Sequence, residues 1–107
     1  MTLADLYTIL AATKLPVAYS AFPDDEKVGP PCITYEAAYS QNFGADNYVY
    51  SPWLNVDIFL YLRQKGTEEA TLESQLNANK IFWNKTETYN NDEKVYQIIY
   101  EVKINGS

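Results

Sequence analysis

The sequence predicts an α+β domain: a mostly antiparallel sheet with two helices, in the order helix, strand, strand, strand, helix, strand, strand. Three observations carry this. Trp53–Arg63 alternates strictly, with Leu54, Val56, Ile58, Leu60 and Leu62 on one face and Trp53, Asn55, Asp57, Phe59, Tyr61 and Arg63 on the other. Successive strand side chains point to opposite faces of a sheet, so this is a long central strand. Two other segments carry apolar residues at helical spacing, and a further pair of alternating runs flanks Asn90-Asn91-Asp92 as a hairpin. Antiparallel strands with helices segregated to one face make an α+β fold. The 107 residues suit one core, so a single domain spans 1–107.

In chain order, Thr2–Thr13 reads as a helix with a Leu3, Leu6, Tyr7, Leu10 stripe and a Thr2/Asp5 capping box. Lys14 falls in its last turn and Pro16 ends it. Val17–Phe22 reads as a short strand. Pro23–Pro31, with three prolines and Gly29, is a turn-rich connection. Cys32–Tyr39 is the next strand, with Ile33, Tyr35 and Tyr39 on one face. Ser40–Ser51 is polar and holds Gly44, Asp46 and Asn47. It reads as a long hairpin loop or arm, expected to be mobile in a free subunit and ordered in an assembly. Tyr48–Tyr50 lead into the central strand.

After that strand, Gln64-Lys65-Gly66 breaks the pattern and Thr67 caps a second helix running to about Lys80. Glu68 and Glu69 lie in its first turn, where the helix dipole favours negative charge. Its apolar stripe is narrow, chiefly Leu72 and Leu76, which predicts a surface helix docked by one edge. Ile81–Tyr89 and Lys94–Ile104 form the final hairpin, and Tyr96, Ile98, Tyr100, Val102 and Ile104 share a face.

Composition narrows function by exclusion. Fourteen acidic against eight basic residues give a net charge of −6, which disfavours binding to a nucleic-acid backbone or an anionic membrane surface. Acidity also serves solubility. The chain has no histidine and one cysteine, Cys32. An intramolecular disulfide, a zinc site with nitrogen and sulfur ligands, and histidine-dependent acid–base chemistry are therefore ruled out within the chain. Cys32, between Pro31 and Ile33 at the start of an apolar strand, reads as a buried structural thiol. Met1-Thr-Leu-Ala-Asp carries no basic region followed by an apolar run, so no signal peptide is expected. No apolar stretch approaches the roughly 20 residues needed to span a bilayer.

Weaker motifs dissolve on inspection. Asp24-Asp25-Glu26 lacks EF-hand spacing and reads as a solvated loop. Asn84-Lys85-Thr86 matches a glycosylation pattern without a secretory context. The glycines at 29, 44, 66 and 106 are too scattered to cradle phosphate. Tyr35, Tyr39, Phe59, Tyr61, Tyr96 and Tyr100 suggest a base-stacking platform, but the basic residues that accompany one are lacking. No catalytic, cofactor-binding or metal-binding residue is assigned and no cofactor is expected. The chain reads as a non-enzyme, although carboxylates alone leave an unplaced glycoside-hydrolase pair open.

The order of several short segments carries a resemblance. Leu15-Pro16-Val17-Ala18-Tyr19 after a first helix, Pro30-Pro31-Cys32-Ile33-Thr34-Tyr35 and Gly44-Ala45-Asp46-Asn47-Tyr48 are followed by Asn55–Tyr61. Glu87-Thr88-Tyr89 and Val95–Glu101 complete the set. Together they resemble the small neck and tail-completion proteins of long-tailed bacteriophages and prophages, in particular the tail-terminator group. The resemblance implies a structural virion protein without catalytic residues, found in the neck of the virion and in the host cytoplasm during assembly. It implies a ring, typically of six subunits, at the head-proximal end of the tail tube, ending tube growth and joining tail to head. The implied partners are copies of itself, the tail tube protein and head–tail connector proteins, with DNA passing through unbound. Six copies at −6 each would carry −36, a charge that suits a DNA passage. Two alternatives stay open: a head–tail adaptor or head-closure protein, and an acidic monomeric binding or inhibitor protein.

The suspected subunit interface is Phe59, Tyr61, Tyr48, Tyr50 and Trp53. If both helices cover the aliphatic face of the central strand, Phe59 and Tyr61 need cover from a neighbouring subunit or from the arm. With one helix on each face they are ordinary core.

Overall fold

The computed structural model describes residues 1–23, 25–26, 28–38 and 53–105, the side chains of Trp53 and Asn105 excepted. Its elements are α1 (Leu3–Ala11), β1 (Val17–Tyr19), β2 (Cys32–Ala37), β3 (Trp53–Leu62), α2 (Glu68–Ala78), β4 (Trp83–Asn90) and β5 (Val95–Asn105). The five strands form one sheet in the order β1-β2-β3-β5-β4. β1 runs parallel to β2 and every other pair is antiparallel. The α+β class and the element order are those the sequence predicts. The arm at 40–51, with Tyr48 and Tyr50, lies outside the described residues, as do Tyr39 and Asp24.

Local chemistry sets the helix ends. At α1, Thr2 Oγ1 accepts from the Asp5 amide and the Asp5 carboxylate accepts from the Thr2 amide, closing the predicted capping box. The helix stops at Ala11, because Lys14 adopts φ 70° before Pro16 is reached. The buried stripe of α1 differs from the predicted one. Leu6, Ile9, Leu10 and Thr13 are buried, whereas Tyr7 is 45% exposed. The spacing i, i+3, i+4, i+7 is kept but its origin moves from Leu3 to Leu6. The Thr13 hydroxyl is satisfied in this position by donating to the Leu10 carbonyl at 2.7 Å.

At α2, Thr67 precedes the first helical residue but has helical dihedrals, and its side chain makes no capping bond. The C-terminus is better built. Lys80 takes φ 59°, its amide donates to the Asn77 carbonyl, and the Ile81 amide donates to Leu76 at 2.9 Å. This is a Schellman motif, and buried Ile81 and Leu76 supply its hydrophobic contact. β1 ends at Tyr19 rather than Phe22, since Ser20 turns the chain with φ 67°. In the β4–β5 turn the Asn90 side chain accepts from the Asp92 and Glu93 amides, and Lys94 takes φ 58°.

Both helices lie on one side of the sheet and touch each other. Leu6, Ile9, Leu10, Leu72 and Leu76 pack on Ile33, Tyr35, Val56, Ile58, Leu60, Leu62, Ile98, Tyr100, Val102 and Ile104 in one core. Every aliphatic residue of the predicted inner face of β3 from Val56 to Leu62 is at most 1% exposed. The arrangement with one helix on each face does not occur.

Candidate functional site

The register assigns the other face of the sheet. Phe59 lies between Thr34 and Ile99, Tyr61 between Cys32 and Gln97, and Asp57 between Glu36 and Glu101. Opposed residues share a face. These side chains therefore project away from both helices. Phe59 and Tyr61 are half-buried and stack side by side, ring centroids 6.5 Å apart and planes 16° from parallel. Each shields part of the other, and neither belongs to the core on the helix side.

The two ends of this open face differ. At the end where β3 finishes, the β1–β2 connection contributes Phe22, Val28 and Pro30 to a cavity of about 580 Å³ that Cys32, Tyr61 and Val95 also line. Gly29, Thr34, Arg63 and Glu93 complete its wall. This connection buries Cys32 and Thr34, each 6% exposed although they face away from the helices. Burial pushes the Cys32 thiol up from its ordinary value, which disfavours the nucleophilic thiolate. The structural reading of this cysteine fits that environment.

At the other end, Glu36, Asp57 and Glu101 form a row across β2, β3 and β5, one carboxylate directly beside the next. Beyond the row a groove of about 410 Å³ is lined by Asn55, Asp57, Asn84, Glu101, Lys103 and Phe82. Phe82 is 91% exposed, by far the most exposed large hydrophobic residue described. The sequence reading missed it by placing it inside a strand. The signal was the run Ile81-Phe82-Trp83: three consecutive apolar residues cannot all face one core in extended chain. Ile81 and Trp83 take the inward positions and Phe82 is left outside.

On the helix side, polar chemistry fastens α2 to the β4 edge. Lys85 donates to Glu69 and Glu73, each at 2.6 Å, and Lys65 pairs with Glu69 and Glu87. The Tyr100 hydroxyl, in a fully buried residue, donates to Glu73 at 2.8 Å. Burial first, then this bond to a carboxylate, pushes the Tyr100 phenol far above its ordinary value. Glu69 feels opposing influences: burial pushes it up, but the hydrogen bonds from Lys85 and Lys65 prevail and hold it below the ordinary 4.5. Trp83 meets Tyr100 edge-on at 5.5 Å, and its indole N–H donates to Asn77 Oδ1 at 2.9 Å. These contacts dock the helix against the sheet edge.

The aromatic residues grouped in the sequence are thus split between two faces. Tyr35 and Tyr100 are core, Tyr96 packs against the core, and Phe59 and Tyr61 stand on the open side. They do not make one stacking platform. Of the suspected interface residues, Phe59 and Tyr61 come together. Trp53 begins β3, with its side chain outside the description, and Tyr48 and Tyr50 lie outside it altogether. Among the described residues no group of acidic and cysteine side chains has the arrangement of a metal site, and no helix is long and apolar enough to cross a membrane. Comparison with protein-family models, curated proteins and solved structures finds no match.

Proposed function

We propose that this chain is a structural protein of a phage or prophage neck, a tail-terminator-like subunit that assembles into a ring at the head-proximal end of the tail tube. The observation that carries the reading is the stacked Phe59–Tyr61 pair on a sheet face that neither helix covers. A small domain that spends both helices on one side leaves the aromatic side of its central strand for a partner. The segments that resemble neck proteins include this strand. In the ring, open faces meet neighbouring subunits, the tube protein or a connector protein, and the acidic balance lets DNA pass with little phosphate attraction.

A second reading has its own support. The row Glu36, Asp57 and Glu101 presents carboxylates at strand spacing, a surface suited to an acidic inhibitor that occupies a basic site on another protein. Mass measurement in solution and negative-stain imaging, with and without the tail tube protein, separate the two. Rings of about six subunits are expected, either alone or on tube ends. A compact monomer in both conditions overturns the neck reading and favours the inhibitor.

A further inference from the structure

Phe82 is exposed without being loosely held. Before it, Ile81 is 5% exposed and tied to the end of α2 through its amide. After it, Trp83 packs edge-on against Tyr100 and bonds to Asn77. With both neighbours anchored inward, the phenylalanine ring is presented outward from a fixed backbone. A large aromatic held this way binds with little ordering cost, which is the character of an interface anchor. The acids beside it are Asp57 and Glu101, and the groove they share also holds Lys103.

The cavity walled by Phe22, Val28, Pro30, Cys32, Tyr61 and Val95 lies at the far end of the same face. From Asn55 to Tyr61 the central strand separates the two ends by roughly 20 Å at about 3.3 Å per residue. The cavity mixes apolar with polar lining and is large enough for a phenylalanine ring, and its wall carries Arg63 with Glu93. One end of the face therefore offers an aromatic knob flanked by two carboxylates and a lysine. The other end offers a socket of mixed lining, with Phe22, Val28 and Val95 as its apolar part and a guanidinium and a carboxylate in its wall.

We propose that Phe82 of one copy of this chain seats in the Cys32–Tyr61 cavity of a second copy, joining subunits head to tail. Arg63 then meets the Asp57/Glu101 pair across the contact, and Glu93 meets Lys103. Knob and socket share one face, so two copies laid fully face to face close as a reciprocal dimer, whereas a staggered contact leaves a knob and a socket free for further copies and gives a filament or, where its rotation closes, a ring. Charge argues the same way. In a chain of net charge −6, bringing two acidic ends together is repulsive, and the head-to-tail arrangement places a cation opposite them. The inference deepens the ring reading and rests on it for closure.

The test uses the whole chain and follows association by sedimentation and native mass spectrometry. Phe82→Ser changes a 91% exposed side chain, so circular dichroism and the melting temperature are expected to stay at wild-type values. The association constant is expected to fall at least about tenfold, as for an interface anchor. Arg63→Glu and Glu101→Arg are each expected to weaken association, and the double variant, which restores opposite charges across the contact, is expected to recover it. Assemblies that withstand Phe82→Ser, or a double variant weaker than either single one, overturn this contact and leave the ring reading standing. A wild-type chain that is monomeric alone and on tube ends overturns both.

Discussion

The two faces of β3 are built from one strand and obey different rules. On the helix side, Val56, Ile58, Leu60 and Leu62 are sealed by two helices and by β5. On the open side, Asn55, Asp57, Phe59 and Tyr61 alternate with them and, among the described residues, meet sheet neighbours and the margin of a loop. The contrast teaches that the core lies on one face, and the proposed neck role assigns contacts to the other. Changes on the first face should be read as melting, and changes on the second as lost association.

The largest expected effect tests that division directly. Ile58→Asp places an unpaired carboxylate in the core and removes a buried side chain, a loss of about 2–5 kcal/mol before the charge is counted. Domains of this kind hold only about 5–15 kcal/mol in total, so the variant is expected to be unfolded by circular dichroism. Phe59→Asp, one residue along, is expected to melt cooperatively as a folded subunit and to fail to assemble. If both unfold alike, the division between the faces is wrong.

A smaller effect is expected where polar groups enter the sealed face. Tyr100→Phe keeps the ring but removes the hydroxyl that donates to Glu73. A hydrogen bond to a charged group contributes about 1.5–3 kcal/mol, and Glu73 keeps Lys85, so the low end of that range is expected in a denaturant melt.

The same ion-pair cluster sets a pH dependence. The Glu69 carboxyl is held below its ordinary 4.5 in the folded chain. Its contribution is thus fully present above that value and is lost as the pH falls through the lower folded value. The melting temperature of wild type should exceed that of Glu69→Gln at neutral pH. The gap should close as the pH drops below about 4, where carboxylates take up protons. A gap unchanged at acid pH would show that it does not arise from the Lys65 and Lys85 pairs.

The smallest expected effect lies on the open face and has the opposite sign. Asp57 is flanked by Glu36 and Glu101. Like charges directly opposed across strands destabilise a sheet, so Asp57→Asn is expected to raise stability by about 0.2–1 kcal/mol, measured at low salt. A stabilised variant that assembles poorly would show that the acidic row is kept for contact rather than for the fold.

Much of this architecture is legible in the residues. The strict alternation of Trp53–Arg63 determines a central strand and the division of its faces, because side-chain direction follows from backbone geometry alone. The Thr2/Asp5 box and the Leu72/Leu76 stripe likewise determine where one helix starts and how the other docks. Reading by period failed where two patterns fitted equally well. Both Leu3 and Leu6 begin an acceptable α1 stripe, and only the approach of the sheet selects Leu6, Ile9, Leu10 and Thr13.

Tertiary structure alone decided the rest. That both helices share one side of the sheet depends on how the connections pack, and no local pattern encodes it. The acidic row exists only because registers across three strands bring Glu36, Asp57 and Glu101 level, residues far apart in the chain. The outward position of Phe82 follows from a Schellman turn that commits Ile81 to the core and from the docking of Trp83 on Tyr100. Backbone periodicity, a short-range property, was therefore fixed by the sequence itself. Which of the described surfaces stay outside the core was settled by long-range packing, where each covered face depends on what the remainder of the chain has already covered.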